Sequence, residues 1–163
     1  MSDQFIKIRD GKINFCCLKQ ACKHNCCGPF SGVTKHLNNI ENRPFDEIVL
    51  TQEDVDRLIR DGRYDLVEEA YSEDMKKNYY KMALETDGTC KAHRNGRCAI
   101  QGVKPTLCRA FPFYFDMFSG LCAIECEGFG EQGWTEMKEL EGCFEAARKM
   151  YEFWIDFYKK TKT

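Results

Sequence analysis

No stretch of this chain stays apolar for the ~20 residues that a membrane-crossing helix needs. The opening residues, Met1-Ser2-Asp3-Gln4-Phe5-Ile6-Lys7, lack the apolar run of about 7–15 residues that marks a secretory signal. Charge of one sign is scarce too: 24 basic against 26 acidic residues leave a formal net charge of −2, with no general attraction to nucleic acid or an anionic membrane. No internal repeat, low-complexity tract, Ser/His/Asp arrangement, paired-carboxylate signature, phosphate-cradling glycine loop or dinucleotide fingerprint is present. These absences lead to the expectation of a cytoplasmic chain with neither membrane nor nucleic-acid partners. At 163 residues it has room for one domain with a core.

Cysteine is what the chain has in excess, with 11 of them. Eight fall into two sets of four. Cys17, Cys22, Cys26 and Cys27 lie in F-C-C-L-K-Q-A-C-K-H-N-C-C-G, while Cys90, Cys98, Cys108 and Cys126 are spread over a longer stretch. Thiolate is a soft, anionic ligand, and four of them satisfy a tetrahedral zinc ion or the corners of an iron–sulfur cluster. A disulfide framework fits poorly, because the count is odd and no secretory signal accompanies it. The vicinal pair Cys26-Cys27 suits bridging or serving two metals, since adjacent residues strain the backbone to reach one small ion. A C-x3-C-x2-C radical motif starts at Cys22 and Cys26 but meets Pro29 at its third position.

Three further cysteines lie outside the eight. Cys16 and Cys122 stand close enough in sequence to a ligand to substitute for one or extend the site; Cys143 reads as a packing thiol. His24 and His93 lie among the cysteines but read as exposed loop residues, and His36 has no metal context. Arg109, next to Cys108, is placed to hydrogen-bond a cluster sulfide, offset cluster charge or pair with a carboxylate. The glycines of Glu127-Gly128-Phe129-Gly130 let backbone N–H groups approach the Cys126 sulfur. Aromatic residues crowd the second set, chiefly as core.

Local signals place these residues in an α+β fold, a small irregular metal-stabilised domain of short β-hairpins with a long C-terminal helix. Asp10-Gly11 and Asn95-Gly96 predict tight hairpins, the second bringing Cys90 and Cys98 together. Residues 28–45 read as a long turn-rich loop. Ile48–Leu50 predicts a strand, followed by a helix capped by Thr51 and Asp54, with Val55, Leu58 and Ile59 on one face and Gly62 at its end. A second, weaker helix is predicted over Tyr64–Tyr71, a strand over Asn78–Glu85, and a hairpin over Phe113–Ile124 turning at Ser119-Gly120. Pro105 suits the first turn of a short helix that presents Cys108. Met137, Leu140, Phe144, Ala147, Tyr151, Trp154 and Tyr158 predict a helix over residues 134–160. The division expected is a cysteine-cluster domain over 1–130 and an amphipathic helix within 131–163, packed on that domain or on a protein partner.

Taken together, Cys90, Cys98-Ala99-Ile100, Lys104-Pro105-Thr106-Leu107-Cys108-Arg109-Ala110-Phe111-Pro112-Phe113 and Cys126-Glu127-Gly128-Phe129-Gly130 resemble the YkgJ-type cysteine-cluster family of zinc- or iron-chelating C-x2-C-x2-C-C domains. Leu50–Val55 is similar to the helix start that follows the first cluster there, and the resemblance spans about residues 15–130. The first set departs from it, with the looser spacing Cys17-x4-Cys22-x3-Cys26-Cys27. The resemblance implies metal binding. Of the functions compatible with it, the expected one is an iron–sulfur protein in electron transfer or metalloprotein maturation within a protein complex. It would hold one or two 4Fe–4S clusters or one larger fused cluster. The alternatives are a structural zinc protein and, because the module is associated with flagellin lysine methylases, a methyltransferase-type enzyme.

Overall fold

A computed structural model gives the fold; it describes residues 5–18, 26–28, 47–124 and 126–159. Asp10 and Gly11 take φ of 50° and 75°, the left-handed pair that a two-residue hairpin turn requires. Strand β1 (Ile8–Arg9) therefore folds back on β2 (Lys12–Ile13), as predicted. Cys22, His24, His36 and, from residue 29 onward, the predicted loop lie outside the described residues.

Strand β3 (Val49–Leu50) leads directly into α1 (Gln52–Arg60). Thr51 and Asp54 close a reciprocal capping box, which satisfies two of the donors that a helix start leaves orphaned. Val55 and Leu58 face inward, whereas Ile59 stays exposed. The helix predicted over Tyr64–Tyr71 does not form: Tyr64–Leu66 is a single 3-10 turn and Val67–Ser72 is strand β4. A helix of that length is marginal alone. Here β5 (Lys77–Met82) offers full cross-strand pairing instead, and β3 adds to its other edge in the order β3-β5-β4.

The Asn95-Gly96 turn joins β6 (His93–Arg94) to β7 (Arg97–Cys98). Helix α2 (Thr106–Ala110) follows, with Pro105 at its N-cap, then the hairpin of β8 (Phe113–Asp116) and β9 (Gly120–Ala123). That hairpin turns at residues 117–119, where the Asp116 carboxylate accepts from the Phe118 and Ser119 N–H groups at 2.9 and 2.8 Å. The C-terminal helix starts later than the apolar stripe predicts. Thr135–Glu136 forms β10, which takes the open edge of β2, Met137–Leu140 is a 3-10 turn, and only then does α3 (Glu141–Lys159) begin. An unpaired strand edge captured residues that helical periodicity alone assigned to the helix.

The molecule is an α+β domain with two apolar centres. One gathers Ile48, Leu50, Leu58, Leu66 and Met82 around α1 and the β3-β5-β4 sheet. The other gathers Ile13, Phe15, Ala110, Phe113 and the buried Ala146 and Ala147 of α3. Helix α2 serves both: Leu107 and Cys108 pack on the first and Ala110 on the second. Helix α3 packs on α2 and β8. It then reaches the first sheet, where Lys77 donates to the Phe157 carbonyl and lies 4.1 Å from its ring centroid. Its aromatic end, Phe153, Trp154, Phe157 and Tyr158, is half-buried, and Phe157 meets Tyr79 at 6.4 Å between ring centroids.

The two halves are joined at Asp54, only 1% exposed. Its carboxylate accepts from the Thr51 N–H at 3.1 Å, from the Thr106 N–H at 3.0 Å and from the Thr106 hydroxyl at 2.8 Å, and it pairs with Arg57. The carboxylate that caps α1 therefore also holds the start of α2. Removing it leaves Arg57 only the exposed Glu53 as an ion partner and leaves the buried Thr106 donors unpaired. Asp54→Ala is expected to destabilise the fold by about 3–5 kcal/mol, read as a lower urea midpoint; an unchanged midpoint would show that the junction is not structural.

Candidate metal centre

One backbone tie joins the cysteine sets, and a second fixes Cys90 to the end of β5. The Cys90 N–H donates to the Cys27 carbonyl at 2.8 Å, joining the first set to the second through main chain. Cys90 also bridges to Leu84, just past β5, and the adjacent Lys91 N–H donates to the Ala83 carbonyl at 3.0 Å. Cys98 ends β7 opposite His93, and Cys108 rides on α2, which Asp54 anchors through Thr106. Cys27, Cys98 and Cys108 pack with buried Cys90 against the first apolar centre. His93, expected as an exposed loop residue, is instead a half-buried strand residue.

The gathered thiols feel one another's charge. The Cys27 thiol hydrogen-bonds to the Cys26 sulfur and holds Cys26 down to about 7, against the opposing effect of burial and with help from Lys104. That same bond, then burial and the charges of Cys26, Cys108 and Cys90, push Cys27 up. Burial raises Cys90, with Cys98 and Cys26 adding to it. Cys108 is raised well above the ordinary thiol value, by burial first and then by Cys26, Cys90 and Cys98, with only Lys104 opposing. Five thiols thus share a region in which mutual interaction and burial raise those of Cys27, Cys90 and Cys108. Among the described residues, no three Cys, His, Asp or Glu side chains stand in a grouping that could hold a metal ion.

The remaining candidates lie elsewhere. Cys126 packs against the second apolar centre, and its sulfur accepts from the Gly128 N–H at 3.4 Å, the approach the glycines were expected to allow. Cys17 and Cys16 are exposed, and the Cys16 N–H donates to the Gly128 carbonyl at 2.8 Å. Cys122 is buried on β9, its thiol 3.7 Å from the Gly120 carbonyl. Arg109 donates to the Thr106 hydroxyl at 3.4 Å and keeps a buried Nε with no hydrogen-bond partner.

Sequence reasoning missed Lys104, whose charge acts on Cys26, Cys108 and Cys143, and the second role of Asp54. Both carried a signal: Lys104 opens the K-P-T-L-C-R stretch, and Asp54 was already evident as a cap. Compared with family models, with curated proteins and with solved structures, the chain finds no match in any of the three.

The approach of Gly128 to the first cysteine segment leaves no room for a side chain. A Cβ there would lie 2.7 Å from Phe15 Cε2 and 2.9 Å from the Cys16 carbonyl oxygen. Gly128→Ala is expected to cost about 1–3 kcal/mol by overpacking, measured by thermal or urea unfolding; a wild-type midpoint would mean that this strand contact yields freely.

Proposed function

We propose that this chain is a cysteine-ligated metal-binding protein, and that its centre is an iron–sulfur cluster serving electron transfer or metalloprotein maturation in the cytoplasm. The observation that carries the reading is the meeting of Cys26 and Cys27 with Cys90, Cys98 and Cys108 in one region. Five thiols exceed the four that one tetrahedral zinc ion takes, which favours a polynuclear centre. Cys22, by its place between Cys17 and Cys26, is a further candidate ligand, and Cys17 and Cys126 complete the eight.

Such a cluster supplies reversible one-electron transfer when bound. The protein's own part is to gather the thiolates and to limit water with the first apolar centre. Lys104 offsets part of the negative charge, and the unpaired Arg109 Nε is available as a donor toward sulfur. Among the described residues no helix is long and apolar enough to cross a membrane, so the exchange partner is proposed to be a protein. The half-buried aromatic end of α3 is proposed as its docking face.

The test is metal and acid-labile sulfide analysis of chain purified without oxygen. Brown protein with broad absorption near 400 nm, iron and sulfide is the expected result. Colourless protein with zinc alone would establish the structural-zinc alternative, and no metal would defeat both readings. Cys108→Ser is expected to lose metal and stability together, because ligand-binding energy is also folding energy at such sites. Wild-type metal content in that variant would remove Cys108 from the ligands.

A further inference from the structure

Strand β4 leaves one edge of its sheet open. In the order β3-β5-β4 its inner edge pairs with β5 over the whole strand, and among the described residues no strand pairs with its outer edge. Two bonds at the end of the ladder fix the direction of its backbone groups. The Met82 N–H donates to the Ile48 carbonyl, away from β4, whereas the Ala83 N–H donates to the Leu66 carbonyl, on the β4 side. Antiparallel bonding alternates along a strand, so Glu68, Ala70 and Ser72 bond inward to β5 while Val67, Glu69 and Tyr71 turn their backbone groups outward. The Val67 N–H is taken by the Tyr64 carbonyl. Both backbone groups of Glu69 and of Tyr71 are left on the open edge, with no backbone partner among the described residues.

Such an edge is a template for another extended chain, and the side chains decide which chain fits. Glu68, Glu69 and Tyr71 are exposed, and Glu73 and Asp74 follow in the turn to β5. Lys76 and Lys77 oppose these four acidic residues, but Lys77 is engaged with the Phe157 carbonyl of α3. Glu68 has Lys81 at 3.8 Å, while Glu69 accepts from the neutral Asn78 amide at 2.7 Å, which leaves its charge in place. A second copy of this chain would bring the same acidic excess to the edge, and like charges across a strand pair are destabilising.

We infer that the β4 edge receives an extended, basic segment of a protein partner as an added antiparallel strand. Lys or Arg opposite Glu68 and Glu69 turns the repulsion that a second copy would meet into attraction. Opposite Tyr71 an arginine lies over the exposed ring. Opposite Ala70 an apolar residue fits, because Ala70 is half-buried and shares a face with Tyr79, against which Phe157 packs. Strand β4 carries no cysteine, so its occupation does not depend on a bound metal.

The test uses the full chain and the capped hexapeptide Thr-Arg-Val-Lys-Lys-Thr, with Thr-Glu-Val-Glu-Glu-Thr as its acidic counterpart. Amide hydrogen exchange followed by NMR reads the edge directly. With saturating basic peptide, the Glu69 and Tyr71 amides are expected to exchange about tenfold more slowly than in the free chain, while the acidic peptide leaves them unchanged. Glu69→Lys is expected to weaken binding of the basic peptide by about tenfold. Tyr71→Pro removes an outward N–H without touching the β5 ladder, a change that edge strands tolerate. Checked for folding by circular dichroism, it is expected to lose binding, whereas Tyr71→Ala keeps the N–H and the slow exchange at Glu69. No protection by the basic peptide, equal protection by both peptides, or wild-type affinity in a folded Tyr71→Pro would overturn the inference. So would slow exchange of both amides in the free chain, which would show the edge already covered by the chain itself or by a second copy. Each of these outcomes leaves the metal reading as it stands.

Discussion

The position of Cys108 depends on one buried carboxylate. Asp54 caps α1, holds Arg57 and receives both the backbone and the hydroxyl donors of Thr106, so the start of α2 cannot move independently of α1. Helix α2 is only five residues long and has no side-chain cap of its own. Without that anchor it would be a marginal turn, since so short a helix gains little from propensity. Cys108 and Arg109 sit on it, Lys104 immediately precedes it, and α3 packs against it. A carboxylate this deeply buried is tolerated because every lone pair it turns inward finds a donor.

The thiols raise the opposite problem. Cys27, Cys90, Cys98 and Cys108 pack against apolar side chains; burial raises the thiols of Cys90 and Cys108, while Cys27 is raised first by its hydrogen bond with Cys26 and then by burial. Four neutral thiols against a hydrophobic core need no metal; they pack as small hydrophobes. They also lie close to one another, Cys27 hydrogen-bonds to Cys26, and the Lys104 charge acts on Cys26 and Cys108. The arrangement disfavours anionic sulfur at Cys27, Cys90 and Cys108 while holding Cys26 down to about 7.

Much of the local structure is legible in the chain. Asp10-Gly11, Asn95-Gly96 and the Thr51–Asp54 capping box each form as read, because a left-handed φ or an orphaned helix donor is satisfied within a few residues. The misread segments, 64–71 and 134–136, are those whose choice belongs to a distant partner. Val67–Ser72 became strand because β5 pairs with it, and Thr135–Glu136 because β2 had an open edge. No window of either segment contains the strand that captures it.

The candidate site divides in the same way. Sequence by itself determined that thiols would be plentiful, that Cys108 would stand on a short helix after Pro105, and that glycine would bring backbone N–H to the Cys126 sulfur. These are matters of residue type and near neighbours. Tertiary structure decided which thiols meet. It joined Cys27 to Cys90 through a backbone hydrogen bond spanning more than sixty residues of sequence. It also turned Asp54 from a helix cap into the anchor of a second helix, because a buried carboxylate binds whatever donor the packing of two elements brings to it.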